Sequence, residues 1–262
     1  HCIPLYLTMI INELSSKEHP TLLDIPNHNK DIIDKFISHL NDDNKKIVKA
    51  LSFVQYFNSH MLNEIYLHFL SPSKQIDIRL FKHYFFIEAI VFDSLFKTHD
   101  LLTQHYHDNI QNFNKSYIET IIIISINSIL KQIHISECNY DELKLMYLGA
   151  ITLSSKIVPS VSIMEKLIEI GYHFYEYGYW KNLLFIFQNS KGTNRRINEL
   201  AYFFKAISLR KTHSVKKGIK KIEKIIQKKM EFGNYTDLLL VEKAYLFELK
   251  GNYSQARIFF QD

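Results

Sequence analysis

The 262-residue chain is poor in the residues that cross-link or sharply bend a protein chain: it has two cysteines, seven glycines and five prolines. Cys2 and Cys138 lie far apart and no C-x-x-C pair occurs. This argues against a disulfide framework or a cysteine-based zinc site, and it fits a reducing cytoplasm. The scarcity of glycine and proline favours long helices with few tight turns. Apolar runs such as Ile121 to Ile124 are far shorter than the roughly 20 residues of a membrane-spanning helix, so we expect no membrane segment.

Motifs of known catalytic sites are also missing from the sequence. There is no phosphate-binding G-x-x-x-x-G-K-[ST] loop, no G-x-S-x-G and no H-E-x-x-H, and no glycine precedes Gly149. Thirteen histidines raise the question of a metal site. His99, His105 and His107 do not share one helix face, and no Glu or Cys completes a ligand set. We therefore predict neither a metal site nor a catalytic residue in this chain.

Apolar residues at helical spacing predict a mostly α fold that begins with a winged-helix domain over residues 16–110. Its three helices and a β-hairpin over 85–98 are followed by a helical linker over 111–160. The third helix, Ser59–Leu70, has no Lys or Arg and carries Glu64, so we expect this domain to pack against protein rather than to read nucleic acid sequence. The three helical faces are Ile32, Ile33, Phe36, Ile37 and Leu40; Ile47, Val48, Leu51 and Val54; and Met61, Leu62, Ile65, Tyr66 and Phe69.

Residues 161–262 contain a repeated pattern. Gly171, Phe174, Gly178, Trp180, Leu183 and Phe187 recur 73 residues later as Ala244, Phe247, Gly251, Tyr253, Ala256 and Phe260. A degenerate copy, Ala206, Leu209, His213, Val215, Gly218 and Ile222, places the repeat starts 35 and 38 residues apart. This order is typical of tetratricopeptide repeats of about 34 residues, and we expect further repeats beyond the fragment. The small residue would let the paired helices approach, the glycine would close the turn and the aromatic residues would fill the space between repeats. Unrelated helical hairpins are the alternative.

A basic stretch over residues 205–229 holds ten Lys or Arg residues and one acid, Glu223. An apolar stripe at helical spacing, Ile219, Ile222, Ile225 and Ile226, leaves outward the lysines Lys216, Lys217, Lys220, Lys221 and Lys224. The stretch is either a solvated outer face or an electrostatic docking surface for an acidic protein or nucleic acid.

Two short segments carry more specific information. The first, "HCIPLYLTMIINEL", places Pro4 inside an apolar helix, so we expect His1 to be a cut within a longer protein and residues 1–15 to end a preceding domain. The second, Thr98 to Leu102, places a His-Asp pair where the predicted hairpin meets a helix. We expect Asp100 to act as a helix cap that supports His99 at the rim of the domain.

In this order the two segments resemble motifs of the STAND ATPases, the NB-ARC and NACHT-like signalling NTPases. "C-I-P-L-Y-L" at 2–7 is similar to their "G-x-P-L-A-L" helix, and "T-H-D-L-L" at 98–102 is similar to their "M-H-D-L" motif. Cys2 and Thr98 depart from the Gly and Met of the family. The order of proline helix, winged helix, His-Asp pair, linker helices and repeats is also similar along the whole chain.

The resemblance implies that Pro4 packs against the adenine of a bound nucleotide and that His99 contacts the β-phosphate of ADP and locks a resting state. It further implies that ADP or ATP with Mg²⁺ is bound mainly by an upstream domain with a phosphate-binding loop. A protein ligand on the repeats would then favour an open state that self-associates into an oligomer and activates an effector domain. In bacteria, relatives of this layout commonly serve antiviral defence, with a phage protein as the trigger. Two alternatives stay open: a transcription regulator that senses a metabolite, and a helical-repeat scaffold for protein interaction.

Overall fold

The structure is a computed structural model in which residues 15, 33–35, 37–38, 40–70, 86–91, 94–134, 139–190, 194–212, 217, 220, 223 and 236–261 are described. The chain divides into two compact units, His1–Ser128 and Ile129–Asp262. Each unit is described by itself below.

The first unit combines short helices with a small antiparallel sheet. Its elements are α1 (Asp42–Val54), β1 (Tyr56–Asn58), α2 (Ser59–Phe69), β2 (Ile87–Val91), β3 (Leu95–Thr98), α3 (Asp100–Asp108), a 3-10 turn (Ile110–Asn112) and the first part of α4 (Lys115–Ile133), which crosses the boundary between the units. Residues 33–35 and 37–38 are also helical, in agreement with the predicted first amphipathic helix.

Asparagine caps set the starts of the first two helices. The Asn41 side chain accepts a hydrogen bond from the backbone N–H of Asn44 at 2.8 Å, and the Asn58 side chain accepts one from Met61 at 2.9 Å. Such side chains satisfy backbone donors that have no partner within the helix. α1 ends at Gln55, which has a φ of +65° and a ψ of −53°, a conformation that L-residues rarely adopt. This bend turns the chain from α1 directly into β1.

The strands form one sheet in the order β1-β3-β2, with both pairs antiparallel. The predicted hairpin is present as β2 and β3, whereas β1 is a strand that the sequence analysis missed. β1 lies between α1 and α2, so α2 directly follows the first strand of the sheet. The absence of Lys and Arg noted for Ser59–Phe69 is a property of that helix alone. Residues 71–85, between α2 and the hairpin, lie outside the described residues.

The core of the first unit is made by the predicted helical faces. Ile47, Leu51, Met61 and Ile65 are fully buried, as helical spacing of apolar residues requires. Phe57 of β1 stacks on Phe96 of β3 with ring centroids 5.9 Å apart, so the sheet covers the same core.

The second unit consists of helices alone in its described part. These are the end of α4, α5 (Tyr140–Ser154), α6 (Val161–Glu176), α7 (Trp180–Asn189), α8 (Arg195–Thr212), α9 (Thr236–Leu249) and α10 (Tyr253–Gln261). Helices α6 and α7, and likewise α9 and α10, are joined by turns of three residues. The mostly helical fold class with a small sheet, followed by paired helices, is thus confirmed.

Helix α5 belongs to the packed core of the second unit, although the sequence places it in a linker. The side chain of Tyr147 is fully buried and its hydroxyl donates a hydrogen bond to the carbonyl of Leu167 in α6. Its ring stacks on Phe174 and meets Phe187 edge-on, both with centroids 5.9 Å apart. The tyrosine therefore joins α5 to both helices of the first pair.

None of the helices in the described ranges has the length and apolar character that a membrane-spanning helix needs.

Candidate functional site

His99 lies at the junction of β3 and α3. Its backbone N–H donates to the carbonyl of Phe86 at 2.8 Å, and its carbonyl accepts from Leu102 and Thr103 in the first turn of α3. Its Nδ1 accepts a hydrogen bond from the backbone N–H of Leu101 at 3.3 Å. The histidine is therefore the N-cap of α3, and the cap fixes the orientation of its ring.

The capping bond also determines which ring nitrogen can act as a donor. Since Nδ1 is the acceptor, the proton of the neutral ring is on Nε2. Nε2 lies 3.7 Å from Oε1 of Glu88 in β2, within ion-pair range but longer than a good hydrogen bond. A quarter of the His99 side chain is exposed. A ligand can therefore meet an N–H donor at the positive end of a helix.

The prediction that Asp100 caps α3 is wrong, because the preceding residue holds that position. Oδ2 of Asp100 instead accepts a hydrogen bond from Nζ of Lys97 at 2.7 Å, and Oδ1 accepts one from Nε2 of Gln55 at 3.2 Å. The carboxylate lies in the first turn of α3, where the helix dipole favours a negative charge. Asp100 thus supports the structure around His99 by bonding to Lys97 and Gln55, and it does not cap the helix.

Polar and charged side chains form a row across the sheet beside His99. Tyr56 of β1 and Glu88 of β2 both pair with Lys97 of β3, so these side chains lie on one face. The largest single influence on the pKa of Lys97 is partial burial, which lowers this pKa. The hydrogen bond to Asp100 and the attraction of Asp100, Tyr56 and Glu88 together outweigh the effect of burial, so the pKa of Lys97 is raised. The pKa of Tyr56 is also raised, first by burial. We call Glu88, Lys97, His99 and Asp100 the His99 corner.

Pro4, the other residue that the resemblance places at a nucleotide, lies outside the described residues, so the two predicted nucleotide contacts cannot be compared in space. In the part of the chain that the structure describes, no three His, Cys, Asp or Glu side chains come together as a metal site.

The two glycine turns of the repeats have the same backbone geometry. Gly178 and Gly251 have φ angles of +81° and +75°. In each turn the residue after the glycine donates its N–H to a carbonyl five residues back: Tyr179 to Phe174 at 2.8 Å, and Asn252 to Phe247 at 2.9 Å. This is the hydrogen bond of a Schellman helix end, which favours glycine because only glycine adopts a positive φ without strain.

The small residue of the first copy has a different neighbour from the one expected. A Cβ atom on Gly171 would lie 2.1 Å from Cζ of Phe204, a residue of α8. The glycine therefore allows the close approach of α6 to Phe204 of α8. Ala244 and Ala256, the small residues of the last copy, are buried.

The two aromatic residues that follow the glycine turns have different surroundings. Trp180 donates its indole N–H to the carbonyl of Tyr175 at 2.9 Å, and Nζ of Lys211 from α8 lies 5.4 Å from its ring. Tyr253, its counterpart, is 69% exposed, so the packing role predicted for it is not seen within the described residues. Trp180 owes its contact to Lys211 of α8, and Tyr253 has no corresponding contact among the described residues.

A buried ion pair joins three helices of the second unit. Nε and Nη2 of Arg210 in α8 donate to the two oxygens of Glu242 in α9, and the hydroxyl of Tyr175 in α6 donates to Oε1 of the same carboxylate at 2.7 Å. Arg210 and Glu242 are 8% and 9% exposed. Burial, followed by the Glu242 charge, raises the pKa of Tyr175. The pair and the phenol thus tie α6, α8 and α9 together at one point.

Of the predicted basic docking surface, the structure describes Lys217 and Lys220, whose side chains are exposed in helical backbone. Lys216, Lys221 and Lys224 lie outside the described residues. The choice between a solvated face and a docking surface stays open.

Comparison with known proteins gives limited information. No protein-family description matches the chain, and no curated protein does. Among solved structures, the chain is similar to a Signal Transduction ATPase with Numerous Domains (STAND) protein with a tetratricopeptide repeat sensor from Pyrococcus horikoshii, at 11% sequence identity and a TM-score of 0.37. The match covers 97% of this chain and 47% of that one, so the chain spans about half the length of the matched protein. We base no residue role on this likeness.

The sequence analysis missed three residues beside the predicted sites: Glu88, Lys97 and Glu242. Glu88 could not have been paired with Lys97 by counting back from the turn, because a β-bulge between Ala89 and Val91 shifts the register of the hairpin. Glu242 has no local signal either, because it contacts Arg210 across 32 residues of chain.

Proposed function

We propose that this chain is the regulatory switch and ligand-sensing segment of a STAND-type signalling ATPase. In this proposal the sheet-containing unit contacts nucleotide held mainly by an upstream domain that binds ADP or ATP with Mg²⁺. The paired helices bind a protein trigger, and binding shifts the parent protein from a closed ADP state to an open ATP state that self-associates. The proposal rests on the two quoted motifs and on the position of His99.

The observation that carries the proposal is the Nε2–H of His99 at the start of α3. A donor at the positive end of a helix, on a ring oriented by its own cap, suits an anionic phosphate oxygen. The β-phosphate of ADP is the anion that the resemblance assigns to this position. The nearby carboxylate of Glu88 opposes the binding of an anion at this position.

The sensor part of the proposal rests on the helical pairs. Matching glycine turns and small buried residues at equal offsets support a repeat array, whose exposed surfaces are commonly protein-binding. That the trigger is a phage protein, and the role antiviral defence, follows from the family resemblance alone.

The test is ADP binding by the full-length parent protein with His99→Asn. Asparagine is a good N-cap, so α3 keeps its start, but its amide is too short to reach the position of Nε2. Loss of a hydrogen bond to a charged group is worth about 1.5–3 kcal/mol, so we expect ADP affinity to fall about ten- to a hundredfold. Calorimetric titration with ADP measures it.

His60→Asn is the matched control. His60 is a half-exposed histidine of the same unit that also faces a carboxylate, Glu64, at 3.9 Å. It should leave ADP affinity unchanged. If His99→Asn binds ADP as the unmodified protein does, and stays inactive without a trigger, the proposed contact is wrong.

A further inference from the structure

The His99 corner places a carboxylate where the proposed phosphate would bind. Nδ1 of His99 is used by the cap of α3, so Nε2 is the nitrogen available to a ligand. Oε1 of Glu88 lies 3.7 Å from that nitrogen. A phosphate oxygen at hydrogen-bond distance from Nε2 would therefore lie within a few ångströms of a like charge.

The neighbouring cation relieves this repulsion only in part. Lys97 is the cross-strand partner of Glu88, but its ammonium is bonded to Asp100 at 2.7 Å. Two carboxylates thus share the corner with one lysine and one histidine. For groups in contact with solvent, an effective dielectric constant of about 50–80 and screening by salt make like charges about 5 Å apart repel with an energy that corresponds to roughly a three- to tenfold change in affinity.

We propose that Glu88 is an intramolecular competitor of the β-phosphate for Nε2 of His99. With ADP in place, the Glu88 side chain rotates away; when the nucleotide leaves, Glu88 returns to the imidazole. Such rotation is feasible because Glu88 is 46% exposed on β2, which lies at the edge of the sheet formed by the described strands. The competition weakens ADP binding and so lowers the stability of the locked state. This inference rests on the proposed function.

The experiment measures ADP and AMP affinities of the full-length protein with Glu88→Gln. Glutamine keeps the size and strand position of the side chain and removes its charge. We expect ADP to bind about three to ten times more tightly and AMP, which lacks a β-phosphate, to bind unchanged. In the His99→Asn background the gain for ADP should be smaller, because the contact for which Glu88 competes has been removed.

Glu64→Gln serves as the matched control, since it removes one carboxylate from another His–Glu pair of the same unit. It should change neither affinity. Thermal unfolding of each variant checks that the fold is retained.

The two proposals fail in different ways. If His99→Asn weakens ADP binding but Glu88→Gln behaves like Glu64→Gln, the competitor role is overturned and the phosphate contact stands. An equal gain for ADP and AMP would also overturn it, since the charge would then act on the nucleotide in general. If His99→Asn leaves ADP binding unchanged, the phosphate contact falls and the competitor role falls with it.

Discussion

Substitution of Gly171 by alanine tests whether the close approach of α6 and α8 holds the second unit together. The added Cβ would lie 2.1, 2.3 and 2.8 Å from three ring atoms of Phe204. That ring cannot swing aside easily, because it is fully buried and stacks on Phe187 with centroids 5.2 Å apart and planes 12° from parallel. The methyl group must therefore push the two helices apart or distort the aromatic stack.

Two opposing effects set the size of the change. Alanine is a better helix former than glycine by about 0.8–1.0 kcal/mol. Overpacking a buried site costs about 1–3 kcal/mol. We expect Gly171→Ala to lower the free energy of unfolding by a net amount of up to about 2 kcal/mol. Urea denaturation followed by the fluorescence of Trp180, the one tryptophan of the chain, reports on this unit.

A double-mutant cycle separates the clash from other effects. Phe204→Leu removes most of the ring and destabilises the unit by itself, but in its presence Gly171→Ala should be neutral or stabilising. The coupling energy between the two sites should then be about 1 kcal/mol or more. If Gly171→Ala instead stabilises the protein to the same extent in both backgrounds, helix propensity alone governs the site and the reasoning from the close contact is refuted.

The remaining predictions concern the turns and the buried ion pair. Gly178→Ala and Gly251→Ala should each destabilise the chain by about 1–2 kcal/mol through the positive φ alone, since neither Cβ would meet a close neighbour. If urea titration shows no measurable loss in the free energy of unfolding, the turn geometry is contradicted. Glu242→Leu should cost about 3–5 kcal/mol because it leaves the Arg210 charge buried and unpaired, and Arg210→Met should recover most of that loss in the double variant. Tyr175→Phe should cost about 1–2 kcal/mol in the same titration, and no change would show that its hydroxyl does not stabilise the pair.

The elements predicted well are those whose signal is local. Helices α1 and α2 show apolar residues at i, i+3 and i+4 behind asparagine caps, and the hairpin has two apolar runs around Asp93-Ser94. The glycine turns were found because the same offsets occur twice. Each of these features is fixed by residues within one or two helical turns of one another.

The features that were missed depend on residues far apart in sequence. β1 has three residues, too few to show an alternating pattern, and it exists because β3 pairs with it about 40 residues later. The cap of α3 was assigned to Asp100 because aspartate is the commoner cap. The backbone shows that the helix starts at Asp100 itself, one residue earlier than a cap at Asp100 would require. The contact of Gly171 with Phe204 likewise depends on how two separate helices pack.

The matching glycine turns limit where the repeats can change in length during evolution. In the first and last copies, the helix end, the left-handed glycine and the start of the next helix form one hydrogen-bonded block, so an inserted residue would break the bond to the carbonyl five residues back. Among the described residues between these copies, no bond of this kind is seen. The sequence agrees, since starts differ by 35 and 38 residues while the offsets inside each copy are constant. Homologous chains should therefore gain and lose residues after Phe187 or Ile222, and seldom between Gly171 and Trp180.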